Sequence, residues 1–250
     1  MNTWILLRGL TRESRHWGGF PALMRQAIDN SHVVALDLPG NGSLCTQRSP
    51  ATVDELADVC RAELQRRGVR PPFSMLALSL GAMVTVSWMV RHPEEVRGCV
   101  LINTSMRPFC PFYRRLRPAN YPTLLRLALS ADAAHCERLI MDMTSRRAAG
   151  AESTLKDWIT YRTQHRVSRG NALRQLVAAA RFRTSRATPT KPVLVLASTR
   201  DALVDVRCSR TLAQAWQCGF AEHPDAGHDL PLDDGPWVAE KISAWVAALS

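Results

Sequence analysis

Phe73-Ser-Met-Leu-Ala77-Leu-Ser79-Leu-Gly81-Ala-Met-Val84-Thr-Val-Ser-Trp88 is the stretch on which the fold turns. A strand-like apolar run ends at Leu78, breaks at a serine, and resumes with helix-compatible spacing through Val84, Trp88 and Met89. The pattern predicts a strand, a sharp turn at Ser79 and a helix from Leu80 to Arg91. Such a turn lifts the serine oxygen above the sheet, and small residues two positions before and after it let strand and helix approach closely. Ala77 and Gly81 fill those positions. Glycine is the usual first residue, so Ala77 asks the turn to accept one extra methyl group. The pentapeptide alone carries little weight; its flanks supply the context that the motif requires.

Outward from this element, apolar β-rich runs fall at Trp4 to Leu7, Val33 to Leu38, Cys99 to Ile102 and Val193 to Ala197, with a weaker one at Phe220 to His223. Helical stretches at Phe20 to Asp29, Val53 to Arg67, Ser209 to Trp216 and Trp237 to Leu249 lie between or after them. This alternation predicts an α/β fold: a mostly parallel sheet with helices on both faces. Functional groups are then expected in loops at the carboxyl ends of the strands. The alternation stops at Asn103 and resumes at Lys191. Between them, Thr123 to Leu129, Ala133 to Thr144, Glu152 to His165 and Asn171 to Phe182 read as helices, punctuated by Pro and Gly. The expected organisation is a core of residues 1–106 and 189–250 with an inserted helical cap, 107–188.

A chain of 250 residues with 46% hydrophobic content can bury the core of one such domain. The early apolar run Trp4 to Leu7 is too short for a signal peptide or a membrane span, so a cytoplasmic protein without a membrane span is expected. Seven scattered cysteines, with no Cys-x-x-Cys pair and no histidine at zinc-ligand spacing, are expected to be reduced and mostly buried, with no metal. The net charge of +10 is unevenly placed: residues 107–188 hold sixteen Lys and Arg against five Asp and Glu, and the remainder is close to neutral. Twenty-nine of the thirty-two basic residues are Arg. An arginine-rich composition is the plain explanation. The functional one is a surface that meets anions, because guanidinium pairs with carboxylate or phosphate in a two-pronged way. Nucleic acid is not expected, since no interleaved aromatic pattern accompanies the basic residues.

A serine hydroxyl becomes a useful nucleophile when an imidazole takes its proton and a carboxylate orients that imidazole. His228, in Asp225-Ala-Gly227-His228-Asp229, follows the last candidate strand and can reach back over the sheet. The other histidines suit other places: His223 in a strand, His92 at a helix end, His135 and His165 on the cap, His16 beside Trp17 as a pocket wall. Asp201, a short turn after Val193 to Ala197, is the candidate acid; Asp205 is the fallback, and Asp229 is expected to face solvent or cap its loop. The order Ser79, Asp201, His228 matches one of the known serine-hydrolase arrangements and differs from two others. Donors for an oxyanion are expected from the N–H of Leu80, at a helix N-terminus, and from the N–H of Leu10 in Arg8-Gly9-Leu10.

Two further segments carry a resemblance. Asp37-Leu-Pro39-Gly40-Asn41-Gly42 is similar to the Asp-x-Pro-Gly-x-Gly turn of the α/β-hydrolase superfamily, and Arg91-His92-Pro93-Glu94-Glu95-Val96 is similar to its elbow-helix end. With the serine turn, the chain resembles that superfamily over the whole core. The resemblance implies the α/β-hydrolase fold, Ser79 as nucleophile, Asp201 as acid and His228 as base. The family places His before the glycine of the oxyanion loop, where this chain has Arg8. The compact form is similar to carboxylesterases of biotin synthesis, which demethylate a pimeloyl ester on acyl carrier protein; there a Trp is typical at the position of Leu10.

The expected function is therefore cofactor-independent serine hydrolysis of a carboxylic ester, on a small-molecule or acyl substrate, with Leu139, Ile140 and Met143 as candidate liners of an apolar pocket. An alternative keeps these residues and places the acyl group on an acidic acyl carrier protein or coenzyme A, steered by the basic cap. Carbon–carbon bond hydrolysis uses the same three groups, and a non-catalytic ligand-binding protein on this fold is a third class.

Overall fold

The computed structural model describes residues 2–146 and 150–249; three residues of the basic segment, 147–149, lie outside them. Six strands, β1 (Asn2–Leu7), β2 (Ser31–Leu36), β3 (Phe73–Leu78), β4 (Val96–Ile102), β5 (Val193–Ser198) and β6 (Gly219–His223), form one parallel sheet in the order β2-β1-β3-β4-β5-β6. Parallel strands covered on both faces need apolar residues at successive positions, which is how β3 and β5 read: every residue of both is buried. Alternate side chains serve opposite layers. Ile5, Leu7, Met75 and Val195 pack on one face, whereas Trp4, Leu6, Leu76 and Leu196 pack on the other.

Helices α1 (Phe20–Ala27), α2 (Val53–Arg66) and α3 (Leu80–Arg91) follow the first three strands. Trp88 of α3, Leu56 of α2 and Val53 join the first layer, and Phe20 and Met24 of α1 the second. After β4 come α4 (Phe112–Arg115), α5 (Tyr121–Leu129), α6 (Ala133–Thr144), α7 (Ala151–Gln164) and α8 (Arg169–Arg181) before the chain rejoins the sheet at β5. The outgoing and returning segments run side by side, Arg107 bridging to Arg183 and its carbonyl accepting from Thr184 N–H at 2.9 Å. Ile140, Met141, Leu155 and Trp158 give α6 and α7 a small core of their own. Last come α9 (Arg207–Trp216), α10 (Leu230–Asp233) and α11 (Gly235–Ala247), with α11 packing Val238 and Ile242 under the sheet.

The four-residue α4 and α10 carry too few positions to show helical periodicity in the sequence. β2 ends at Leu36 because Asp37 turns away to serve as an acceptor for Ser14 N–H (2.6 Å) and Ser43 N–H (2.9 Å). One expectation is corrected: Cys110, ahead of α4, and Cys208, in the first turn of α9, form a disulfide across 98 residues of sequence. Folding brings their Cα atoms to 5.3 Å, within disulfide reach, although nothing in their spacing along the chain reveals it. Among the described residues, no helix is long and apolar enough to cross a membrane.

Candidate active site

At the carboxyl end of β3 the backbone of Ser79 takes φ 57° and ψ −116°, a left-handed conformation that costs a non-glycine residue energy and persists only where its surroundings hold it. Ser79 N–H donates to Ile102 carbonyl of β4 at 3.0 Å, and Thr104 hydroxyl donates to Ser79 carbonyl at 3.2 Å. Gly81 is required by close approach: a methyl group there would lie 2.5 Å from Leu7 carbonyl oxygen and 2.6 Å from that of Arg8. Gly9 is nearly as confined, since its added methyl would meet Ser79 Cβ at 3.1 Å. The β1 end and the β3 turn are thus pressed together, with Leu10 just beyond.

The loop after β6 brings His228 to the same end of the sheet. Asn103, following β4 with φ 45°, organises that loop: its amide donates to His228 carbonyl at 2.8 Å and Ser198 hydroxyl at 3.0 Å, and its carbonyl accepts Ser198 N–H at 2.8 Å. His228 Nδ1 meets Asp201 Oδ2 at 2.7 Å, both groups buried. The other Asp201 oxygen accepts Leu203 and Val204 N–H at 2.7 and 2.9 Å, so this carboxylate is fully engaged and held in one orientation. With Nδ1 tied to a carboxylate, Nε2 is the ring nitrogen that can exchange a proton with another group.

Ser79, Leu80, Leu10 and His228 all line one cavity of about 330 Å³, whose other walls are mainly apolar but include Arg8, Arg12, Arg115 and Asp229. Leu80 is the first residue of α3, so its N–H has no intrahelical acceptor, and neither it nor Leu10 N–H has one elsewhere among the described residues. Met143 and Ile140 of α6 line the cavity as expected, whereas Leu139 does not. The fallback Asp205 is committed elsewhere: hydrogen bonds from Arg207 hold its carboxyl down to about 2. Asp229 is corrected outright. It is 3% exposed, its N–H donates to Thr144 carbonyl of α6 at 2.7 Å, and its carboxylate receives both η nitrogens of Arg8 at 2.9 and 2.5 Å. Sequence reasoning missed Asn103 as well, although the polar run Asn103-Thr104-Ser105 directly after an apolar strand was a signal: all three are buried.

A family model described as the alpha/beta hydrolase family matches residues 4–241. The chain belongs to the alpha/beta hydrolase family. Within it, the chain is similar to the pimeloyl-(acyl-carrier protein) methyl ester esterase of Chromobacterium violaceum, 26% identical over an alignment of 234 residues, covering 91% of this chain and 78% of that one. Among solved structures, the enol-lactonase of Burkholderia xenovorans LB400 superposes with a TM-score of 0.80 at 16% identity, covering 99% of this chain and 92% of that one. An esterase from Rhodococcus sp. ECU1013 gives 0.76 at 20% identity, covering 100% and 91%. These two likenesses are of fold.

Proposed function

We propose that this alpha/beta hydrolase is a serine esterase that works through an acyl-enzyme, with Ser79 as nucleophile, His228 as general base and Asp201 as the group that orients it. One observation carries the reading: a serine on a strained strand-to-helix turn shares a cavity wall with a histidine whose far nitrogen is held by a buried carboxylate at 2.7 Å. Ser79 Oγ attacks the acyl carbonyl while His228 Nε2 takes its proton. Leu10 and Leu80 N–H groups receive the oxyanion, aided by the α3 dipole. The imidazolium returns the proton to the departing alcohol, and a water deprotonated by His228 then releases the acid.

Residues 107–188 form the cap in this reading, with α5, α6 and α8 roofing the cavity through Leu124, Ile140 and Leu176. Cytoplasmic placement belongs to the same reading, and the Cys110–Cys208 pair tests it, because disulfides are rare in that compartment. Thiols trapped free on rapid alkylation of cells support the cytoplasm, and a bonded pair counts against it.

The likeness to a carrier-protein esterase, with sixteen basic residues in the cap segment, favours a second form in which the acyl group rides on acyl carrier protein or coenzyme A. Both forms are tested by a fluorophosphonate probe and a panel of esters and thioesters, run with wild type and Ser79→Ala. Wild type is expected to label and turn over, and Ser79→Ala to do neither. Labelling or turnover that survives the substitution removes the assignment of Ser79.

A further inference from the structure

We infer that a second cavity adjoining the first is an anion-binding subsite, so that the preferred ester carries a carboxylate or phosphate at its far end. The inference rests on the esterase reading and names its substrate class. The second cavity holds about 380 Å³ and shares Leu10, Thr11, Arg12, Leu124 and Leu127 with the cavity of Ser79, so one elongated ligand can occupy both. Both cavities are mainly apolar, and both carry arginine. The Ser79 cavity has Arg8 and Arg115 against Asp229, Arg12 lines both cavities, and Arg162, Arg166 and Arg169 line the far one alone, against Glu13 and Glu137.

Those carboxylates are already engaged. Glu13 pairs with Arg15 and with His165, and Glu137, 1% exposed, is shared by Arg12 and Arg162 at 2.6 Å each. Two guanidiniums on one buried carboxylate leave a net positive charge; Arg162 is partly open to solvent, but the share on buried Arg12 is costly unless a counter-charge is supplied. Arg12 bears most of it: it is 7% exposed, lies 4.0 Å from the centre of the Trp158 ring, and has one η nitrogen without a partner. Burial, with Arg8 and Arg162 nearby, lowers its pKa despite Glu137. His16 adds an uncharged donor on the same wall. Burial, then Arg12 and Arg8, push its pKa well down; its Nδ1 accepts Glu13 N–H at 3.1 Å, and its buried Nε2 has no partner. The group of Arg12, Arg162 and Glu137 is one anion short, and a planar guanidinium matches carboxylate and phosphate oxygens alike.

The test compares methyl esters of unbranched monocarboxylic acids with monomethyl esters of α,ω-dicarboxylic acids and ω-phosphorylated acids, over a range of matched chain lengths. At the best length, wild type is expected to show kcat/KM about tenfold or more higher for one anionic series, the worth of a charge-assisted contact. Which series wins identifies carboxylate or phosphate. Arg162→Gln, which leaves Arg12 and Glu137 as a balanced pair, is expected to bring that ratio toward one. The exposed Arg166→Gln, which endangers no buried pair, is expected to lower it too. Equal kcat/KM for anionic and neutral esters at every length overturns the inference, and so does a preference that survives both substitutions. If no ester is turned over, the esterase reading has failed separately. Calorimetric titration of wild type with the monomethyl dicarboxylates, the ω-phosphorylated esters and the neutral esters then decides: tighter binding of an anionic series supports the subsite, and equal or absent binding overturns it.

Discussion

Replacing Arg8 by Leu tests whether the buried pair with Asp229 holds the histidine loop to the end of β1. Both residues are nearly inaccessible, at 2% and 3% exposure, and two parallel hydrogen bonds join them across 221 residues of sequence. Removing the guanidinium leaves a nearly buried carboxylate without its counter-charge, a loss of about 3–5 kcal/mol. For a chain of this size each kcal/mol moves the melting temperature by about 2–4 °C, so a fall of roughly 6–20 °C is expected. The double variant Arg8→Leu/Asp229→Leu removes both charges, and since apolar replacement of a whole buried pair is often neutral, it is expected to recover most of the loss. Urea unfolding of the wild type, both single variants and the double variant measures the coupling directly. His228 precedes Asp229, so the single variants are also expected to lose kcat more than they raise KM. A stability loss below about 1 kcal/mol, the range of solvent-exposed ion pairs, would refute the argument.

Asp201→Asn keeps the shape of the site and removes the charge that holds the His228 tautomer; kcat is expected to fall on the order of 10³–10⁴-fold with KM little changed, and a loss below tenfold counts against Asp201 as the orienting acid. Gly81→Ala forces a methyl group against two backbone carbonyls at 2.5 and 2.6 Å, so a loss at or above the upper end of the ~1–3 kcal/mol cost of overpacking is expected, and wild-type stability would contradict the close approach. His16 gives a pH dependence. Its pKa is lowered in the folded state, chiefly by burial, so below about 6.5 the unfolded chain takes up a proton that the native protein refuses. Stability is therefore lost as pH falls below that value, by up to about 1.4 kcal/mol per unit, and this contribution is absent above it. His16→Gln is expected to flatten the difference between pH 6.5 and 5.5, and parallel profiles for the two proteins refute the assignment.

Much of the core was readable because each of its features leaves a local trace. The β3 run, the serine and the small residues around it lie within nine positions, and β3 has the expected ends; β1, β2 and β4 begin two or three residues earlier than expected, and β2 stops two residues sooner, where Asp37 turns aside. Helix α6 has the expected bounds and α8 starts two residues earlier than expected, each capped by a side chain: Asp132 accepts Ala134 N–H at 2.9 Å, and Ser168 accepts Asn171 N–H at 3.1 Å. His228 and Asp201 were found from their places after strands, and their meeting at 2.7 Å needs only the parallel topology that the strand pattern predicts. Pairings between distant loops leave no such trace. Cys110 with Cys208, Asn103 with the 227–228 carbonyls and Arg12 with Glu137 each join segments whose separation carries no period.

Arg8 and Asp229 show why the last class of contact matters for the site. Taken alone, Arg8 is a departure from the family's histidine and Asp229 a polar residue expected to face solvent or cap its loop. Folding makes them one feature: a guanidinium set into the wall of an apolar cavity requires a buried acid, and the acid sits beside His228. Arg12, four residues further on, repeats the arrangement with Glu137, but a second guanidinium, Arg162, shares that acid. The loop after β1 therefore carries a balanced charge pair near Ser79 and an unbalanced group that begins at Arg12, where the two cavities meet. On the proposed reading, the ester carbonyl sits by the first, and the second attracts the end of the substrate that carries charge.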